Sequence, residues 1–194
     1  MIIWLNGAFG AGKTQTAYAL RRRLPGSYVY DPENIGYCLP HNVPPALAEG
    51  DFQDYPMWRE FNLRLLDDIA SRYGGHIIVP MTVTNRAYYD ELVGALSQRH
   101  EVRRFILWAE RKTLLRRLAY RLEGRRSWGA RQIDRCLRAF DRDIPGVKLH
   151  TDRLSVEQAA ERAAALAGLT LAEDRRSRPR RLLDRAAARI RHIR

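Results

Sequence analysis

The chemistry of the chain starts at Gly7-Ala8-Phe9-Gly10-Ala11-Gly12-Lys13-Thr14, which fits the pattern G-x-x-x-x-G-K-[ST] at every position. Glycines let the backbone curl, so that successive N–H groups turn inward on the oxygens of a phosphate. A helix that follows such a loop points the positive end of its dipole at the same anion. Lys13 is expected to reach the β- and γ-phosphates of ATP, and the Thr14 hydroxyl to ligate Mg²⁺. Gly7 through Gln15 is therefore the expected nucleotide site, with Thr14 as its metal ligand.

Such a loop needs a strand before it and a helix after it. Met1-Ile2-Ile3-Trp4-Leu5-Asn6 is a short apolar run suited to a buried parallel strand. Gln15–Leu24 places Ala17, Leu20 and Leu24 on one helical face, and Pro25-Gly26 stops it. Ser27-Tyr28-Val29-Tyr30 reads as a second strand running into Asp31-Pro32-Glu33. Ligands of α/β sheets bind at the carboxyl ends of strands, so Asp31 falls beside the loop. A carboxylate there can orient or deprotonate a substrate hydroxyl, or hold Mg²⁺ through water; a plain turn aspartate before proline is the alternative.

Residues 36–55 hold Pro40, Pro44, Pro45 and Gly50, and only Ala46–Glu49 looks helical. A loop of this length suggests the wall of a substrate pocket. Pro56 opens a helix with Trp58, Phe61, Leu65 and Ile69 as its apolar stripe, ended by Gly74-Gly75. Tyr55 and Arg59 at its start are candidate pocket residues. His76–Thr82 reads as a buried strand. Many phosphate-loop proteins place a magnesium-linked Asp there, but Pro80-Met81-Thr82-Val83-Thr84 carries no carboxylate. This argues against a motor-type ATPase. Met81 and Thr82 become candidate substrate contacts, with strand-end packing as the alternative.

Asn85 caps an expected helix over 86–98, and Arg104–Ala109 is a fourth strand. Arg111–Leu122 and Ala130–Phe140 are helices separated by Gly124-Arg125-Arg126-Ser127-Trp128-Gly129. A helix, an Arg-rich turn and a helix in this position resemble the mobile lid of small-molecule kinases. Lid arginines neutralise charge developing on a transferred phosphoryl group. Arg117, Arg121, Arg125 and Arg126 are the candidates, and a solvated basic face is the alternative for any one of them. Gly146–His150 is a fifth strand. Ser155-Val156-Glu157-Gln158 matches a capping box opening the last helix of the domain. The expected fold is α/β: a kinase-like three-layer sandwich with a five-stranded parallel sheet, helices on both faces and a helical lid over about 116–135.

The 194 residues suit one domain, 1–170, plus a tail, 171–194. The formal net charge of +12 is concentrated at the end: residues 175–194 hold nine arginines against Asp184 alone. Leu182, Leu183, Ala186, Ile190 and Ile193 share one helical face there. A basic amphipathic helix suggests reversible attachment to an anionic membrane surface, with domain packing, a nucleic-acid arm or disorder as alternatives. No nucleic-acid motif accompanies it elsewhere, so no specific nucleic acid is expected. Cys38 and Cys136 form no metal spacing and read as reduced thiols. No apolar run approaches a membrane span, and the opening strand leads straight into the loop, which does not suit a signal peptide. A cytoplasmic protein, peripheral on the inner face of the membrane, is expected.

Five stretches resemble the bacterial tunicamycin-resistance ATP-binding proteins: Ile3–Ala17, Tyr28-Val29-Tyr30-Asp31-Pro32-Glu33, Asp51-Phe52-Gln53-Asp54-Tyr55-Pro56, Ile78-Val79-Pro80-Met81-Thr82, and Ser127–Cys136. The resemblance implies ATP binding and protection from tunicamycin, a uracil nucleoside carrying sugars and a fatty acyl chain. The leading expectation is a kinase that phosphorylates a hydroxyl of the antibiotic. Lys13, Asp31, Arg117, Arg121 and Arg125 would be catalytic, and Asp31, Tyr55, Arg59, Met81 and Thr82 would contact the substrate. A membrane-attached protein that sequesters the drug without modifying it is the alternative.

Overall fold

A computed structural model describes residues 1–120, 127–174 and 176–177. Five strands form one parallel sheet: β1 (Ile2–Gly7), β2 (Ser27–Val29), β3 (His76–Pro80), β4 (Val102–Trp108) and β5 (Val147–His150), in the order β2-β3-β1-β4-β5. β1 is central, with Ile2 level with Ile77 on one side and with Val102 on the other. Ile2, Ile3, Trp4 and Leu5 are all fully buried. Neighbouring residues of a strand point to opposite faces, so complete burial along β1 means that both faces of the sheet are covered.

The connection after β1 runs toward the β2 edge, and the one after β4 runs toward the β5 edge. This divergence opens a crevice at the carboxyl end of β1, where the Gly-rich loop lies. α1 (Lys13–Arg23) continues from that loop and packs on α8 (Val156–Leu166). α3 (Pro56–Arg72) packs on a helix that runs through α4 (Arg86–Tyr89), a π-helical turn (Asp90–Gly94) and α5 (Ala95–Arg99). α6 (Arg111–Ala119) and α7 (Trp128–Arg142) pack together after β4.

Local signals explain most boundaries. The Asn85 side chain accepts from the N–H groups of Ala87 and Tyr88 at the start of α4. Ser155 and Gln158 form both bonds of the capping box. Two features depart from the sequence reading. The expected helix over 86–98 contains a π turn, and α2 (Glu33–Cys38) stands where only loop was expected. The chain after α8 returns to the far end of α1, where Ala172 N–H donates to the Arg23 carbonyl at 2.7 Å. α1 is 11 residues long, about 16 Å at the helical rise, so the tail departs from the pole opposite the Gly-rich loop. Residues 178–194, on which the amphipathic expectation falls, lie outside the described residues.

Candidate nucleotide and acceptor site

The loop is built for an anion at its open end and is clamped at its root. Gly12 sits in the left-handed region at φ 98°, offers no side-chain cap to α1, and no acidic residue occupies the first turn. The first N–H groups of a helix have no intrahelical acceptors, so this end of α1 presents donors and a positive dipole to the crevice. Lys13 lies folded across the loop: its Nζ donates to the carbonyls of Gly7 at 2.9 Å and Ala8 at 3.2 Å, and stands 5.5 Å from the Phe9 ring. These residues fit a phosphate chain, and the Thr14 side chain stands one residue into the helix, where it would hold a divalent cation. Among the described residues no group of three or more His, Cys, Asp or Glu gathers around a potential metal position.

The clamp at the root was not anticipated. Asn6 is buried, and its Oδ1 accepts from Gly7 N–H and Val83 N–H, each at 3.0 Å. Its Nδ2 donates to the Val83 carbonyl at 3.0 Å. The Thr82 hydroxyl donates to the Gly7 carbonyl at 2.9 Å. The segment after β3 therefore grips the first residue of the loop.

At Thr82 and Met81 the structure shows the strand-end packing that the sequence offers as the alternative to a substrate contact. Thr82, 4 % exposed, turns its hydroxyl to the loop root rather than to an acceptor. Met81, 1 % exposed, belongs to the core, and its N–H continues the pairing with β1 by donating to the Leu5 carbonyl at 3.0 Å. The only sequence signal for the clamp is a polar Asn at the end of an apolar strand, since a buried amide must find partners.

Asp31 stands at the end of β2 as expected, half-buried, and its Oδ1 accepts from Glu33 N–H at 3.0 Å. The turn is held from beneath: the Trp58 indole N–H donates to the Pro32 carbonyl at 3.1 Å, and the Tyr30 hydroxyl donates to Asn62 Oδ1 at 2.7 Å. Burial drives the Tyr30 phenol pKa far up, with Asp31 adding to the effect, so this phenol remains a donor. This bond is the turn role that the sequence offers as the alternative for Asp31.

Residues 49–55 form a wall, and the ties that hold it were invisible in sequence. Arg59 pairs with Glu91 at 2.5 Å, donates to the Gln53 carbonyl at 2.5 Å, and lies over the Tyr88 ring at 4.1 Å. The Tyr88 hydroxyl donates to Asp54 Oδ1 at 3.1 Å; burial and this bond raise the phenol pKa. Gln53 Nε2 donates to the Thr82 carbonyl at 3.1 Å. The wall is thus tied through Thr82 to Gly7. Arg59 acts as a strut of the wall, with little of its side chain open to solvent. Tyr55, half-buried, accepts from Glu49 N–H at 2.8 Å.

Of the lid arginines, Arg117 is described, and Arg121, Arg125 and Arg126 lie outside the described residues. Arg117 donates to the Thr151 carbonyl at 2.6 Å, to the Thr151 hydroxyl at 3.1 Å and to the Ala11 carbonyl at 3.4 Å. It joins the back of the Gly-rich loop to the turn after β5. Asp152 in that turn is disfavoured as an anion by burial, but the Thr113 hydroxyl, the Glu110 N–H and the Arg117 charge outweigh this and hold its pKa below the usual aspartate value.

α7 supports the loop from its other side. Ser127 caps this helix, accepting from Ala130 N–H at 3.2 Å. Trp128 meets Phe9 edge to face at 5.0 Å. A Cβ on Gly129 would come within 3.2 Å of Phe9, so the glycine lets the helix approach the loop closely. Cys136 is buried in α7, and burial pushes its thiol pKa up against the opposing pull of Lys13. Both Cys38 and Cys136 are free thiols.

The comparisons agree with this geometry. Residues 2–142 match an AAA domain family. The fold matches the tunicamycin resistance protein of Deinococcus radiodurans with a TM-score of 0.76 and 36% identity, over 89% of this chain and 98% of that one. A sugar kinase from a Janibacter species matches with a TM-score of 0.63 and 20% identity, over 87% and 95% of the two chains. A shikimate kinase from Bacteroides thetaiotaomicron matches with a TM-score of 0.59 and 19% identity, over 87% and 99%. These two share the fold. No curated protein sequence matches the chain. No described helix is long and apolar enough to cross a membrane. With 36% identity over 89% of its length to its Deinococcus relative, and the same fold beneath it, the chain belongs to the tunicamycin-resistance family of phosphate-loop proteins.

Proposed function

We propose that the protein is an ATP-dependent phosphotransferase that modifies a hydroxyl of tunicamycin. The observation that carries this reading is the junction of two half-sites: a phosphate loop leading into α1, whose first turn has no side-chain cap and no acidic residue, and a wall tied to its root through Gln53, Thr82 and Gly7. Bound ATP with Mg²⁺ supplies the transferable phosphoryl group. The chain's own residues do the rest. Lys13 leaves its loop carbonyls for phosphate oxygens, Thr14 holds the cation, and Asp31 orients the attacking hydroxyl and takes its proton. Positioning of this kind supplies much of the rate in phosphoryl transfer. The absence of an acidic residue after β3 favours transfer over motor-type hydrolysis.

Sequestration without transfer is the second reading. It is favoured by Arg117, whose guanidinium donates to the Thr151 and Ala11 carbonyls and so braces the loop against the turn after β5. The basic tail, in either reading, is proposed to hold the protein at an anionic membrane surface, where an amphiphilic antibiotic gathers. Incubation with ATP labelled at its γ-phosphate tests the first reading: label recovered in the antibiotic supports it, and label recovered only in inorganic phosphate refutes it.

A further inference from the structure

Between α2, the 49–55 wall and the first residue of α7 lies a pocket of about 310 Å³. This is the small end of the range for small-molecule sites. It is separate from the residues of the Gly-rich loop. Its lining is uneven in a way that selects a ligand. Tyr37, Phe52, Tyr55 and Trp128 contribute rings, and Glu49 and Asp51 contribute carboxylates.

The rings are arranged as a supported platform with open surfaces. Phe52 is backed by the buried Trp58, with centroids 5.2 Å apart, and faces Tyr37 at 6.4 Å. Beneath Phe52 lies Gly36, where a Cβ would come within 2.5 Å of the ring. That explains a glycine in the middle of α2, where it costs helix stability of up to about 1 kcal/mol: it seats Phe52 flat on the helix. Trp128 and Tyr37 leave 45 % and 37 % of their surfaces open. Trp128 also touches Phe9 of the phosphate loop, so a ligand on this indole sits one side chain away from the loop.

The chemistry of the lining narrows the ligand. Exposed aromatic faces bind flat rings by stacking, with little dependence on which ring it is. Carboxylates accept hydrogen bonds from hydroxyls. Among the described residues no Lys or Arg lines the pocket, and its two carboxylates outnumber the single imidazole of His41, which disfavours a phosphate or sulfate group. The volume admits one ring and a sugar, and excludes a long acyl chain.

We propose that this pocket binds the nucleoside head of the acceptor. The base lies on the Trp128–Tyr37–Phe52 platform, and the sugar hydroxyls turn to Glu49 and Asp51. This deepens the phosphotransferase reading by assigning the acceptor's position, and it rests on that reading for the identity of the antibiotic. Trp128 is then the residue that decides affinity for a flat ring, and Gly36 is a positioning residue acting through Phe52.

The test measures tunicamycin binding by equilibrium dialysis, with uridine as competitor and a fluorescent ATP analogue as a separate readout of the loop. Uridine is expected to displace the antibiotic. Trp128→Ala should weaken antibiotic binding about five- to a hundredfold, the range for loss of one stacking platform, and by a much larger factor than it weakens the ATP analogue, whose loop Trp128 meets only through Phe9. Trp128→Phe should restore most of the affinity, which a merely structural defect would not allow. Gly36→Ala should weaken binding by displacing Phe52. Undiminished antibiotic affinity in Trp128→Ala, failure of uridine to compete, or failure of the wild-type protein to bind the antibiotic would each overturn the proposal. Trp128-dependent binding without phosphate transfer would uphold the pocket and refute the phosphotransferase; transfer with an unchanged KM in Trp128→Ala would do the reverse.

Discussion

The phosphate loop and the 49–55 wall are neighbours held by different means. The loop depends on backbone shape and on a buried clamp, with Asn6 and Thr82 gripping Gly7 at distances of 2.9 to 3.0 Å. The wall depends on long side chains reaching across from α3 and α4: Arg59 to Glu91 and Gln53, and Tyr88 to Asp54. Buried, fully paired polar groups are costly to break, whereas contacts nearer the surface contribute less. The molecule thus has a rigid nucleotide half and a more adjustable acceptor half. That division suits a fixed donor and a bulky acceptor.

The largest expected effect strikes the loop. Lys13→Ala should lower transfer about a hundredfold or more, the scale for losing one charge-stabilising group, and should abolish protection from the antibiotic in cells. Asp31→Asn should block transfer to a similar degree while leaving affinity for an ATP analogue unchanged, because the turn bond to Glu33 survives the substitution. If both variants retained full activity, the nucleotide half would have no catalytic role.

The next predictions probe the clamp and the wall. Asn6→Ala leaves buried partners without an amide and should cost about 1–3 kcal/mol of stability for each group left unsatisfied, read as a lowered Tm, together with weaker nucleotide binding. Thr82→Val removes one hydroxyl at nearly constant shape. It should cost about 1 kcal/mol and leave the KM for the antibiotic unchanged, whereas a direct substrate contact would raise that KM. Arg59→Ala should do the opposite: it should raise the KM for the antibiotic severalfold and scarcely alter nucleotide affinity.

The smallest effect concerns pH. The Asp152 carboxyl titrates below its ordinary value of 3.8 when folded. The stability it contributes is therefore present at neutral pH and is lost as the solution is acidified past that value. Asp152→Asn should lower the Tm slightly at pH 7 and flatten its decline in acid. A decline identical to that of the wild type would remove Asp152 from the account of the turn after β5.

The same division explains what the sequence made legible. Strand, loop and first helix occupy contiguous residues from Ile2 to Arg23, so local pattern suffices for them. The capping box of Ser155 and Gln158 is equally local, and both its bonds are present. The wall is the opposite case. Arg59 and Glu91 lie 32 residues apart, and no periodicity links them, so the sequence marks Arg59 only as a candidate pocket residue. α2 was hidden because Pro32, Asn34 and Gly36 are poor helix formers, and Gly36 answers to Phe52 rather than to its own helix. Met81 and Thr82 stand at the strand end that the sequence indicates and show the packing alternative there, since strand position does not say whether a side chain turns to ligand or to loop. The role of Gln53 was missed altogether, because its partner is a backbone carbonyl, which sequence does not mark.

The central claim is that the two halves meet to move a phosphoryl group. A mass spectrum of tunicamycin after incubation with purified protein, ATP and Mg²⁺ tests it most directly. The account predicts a product heavier by one phosphoryl group, formed by the wild type and missing with Asp31→Asn. Recovery of the antibiotic unmodified, from a protein that binds it tightly only when ATP is present, would contradict the claim and leave a clamp in place of a catalyst.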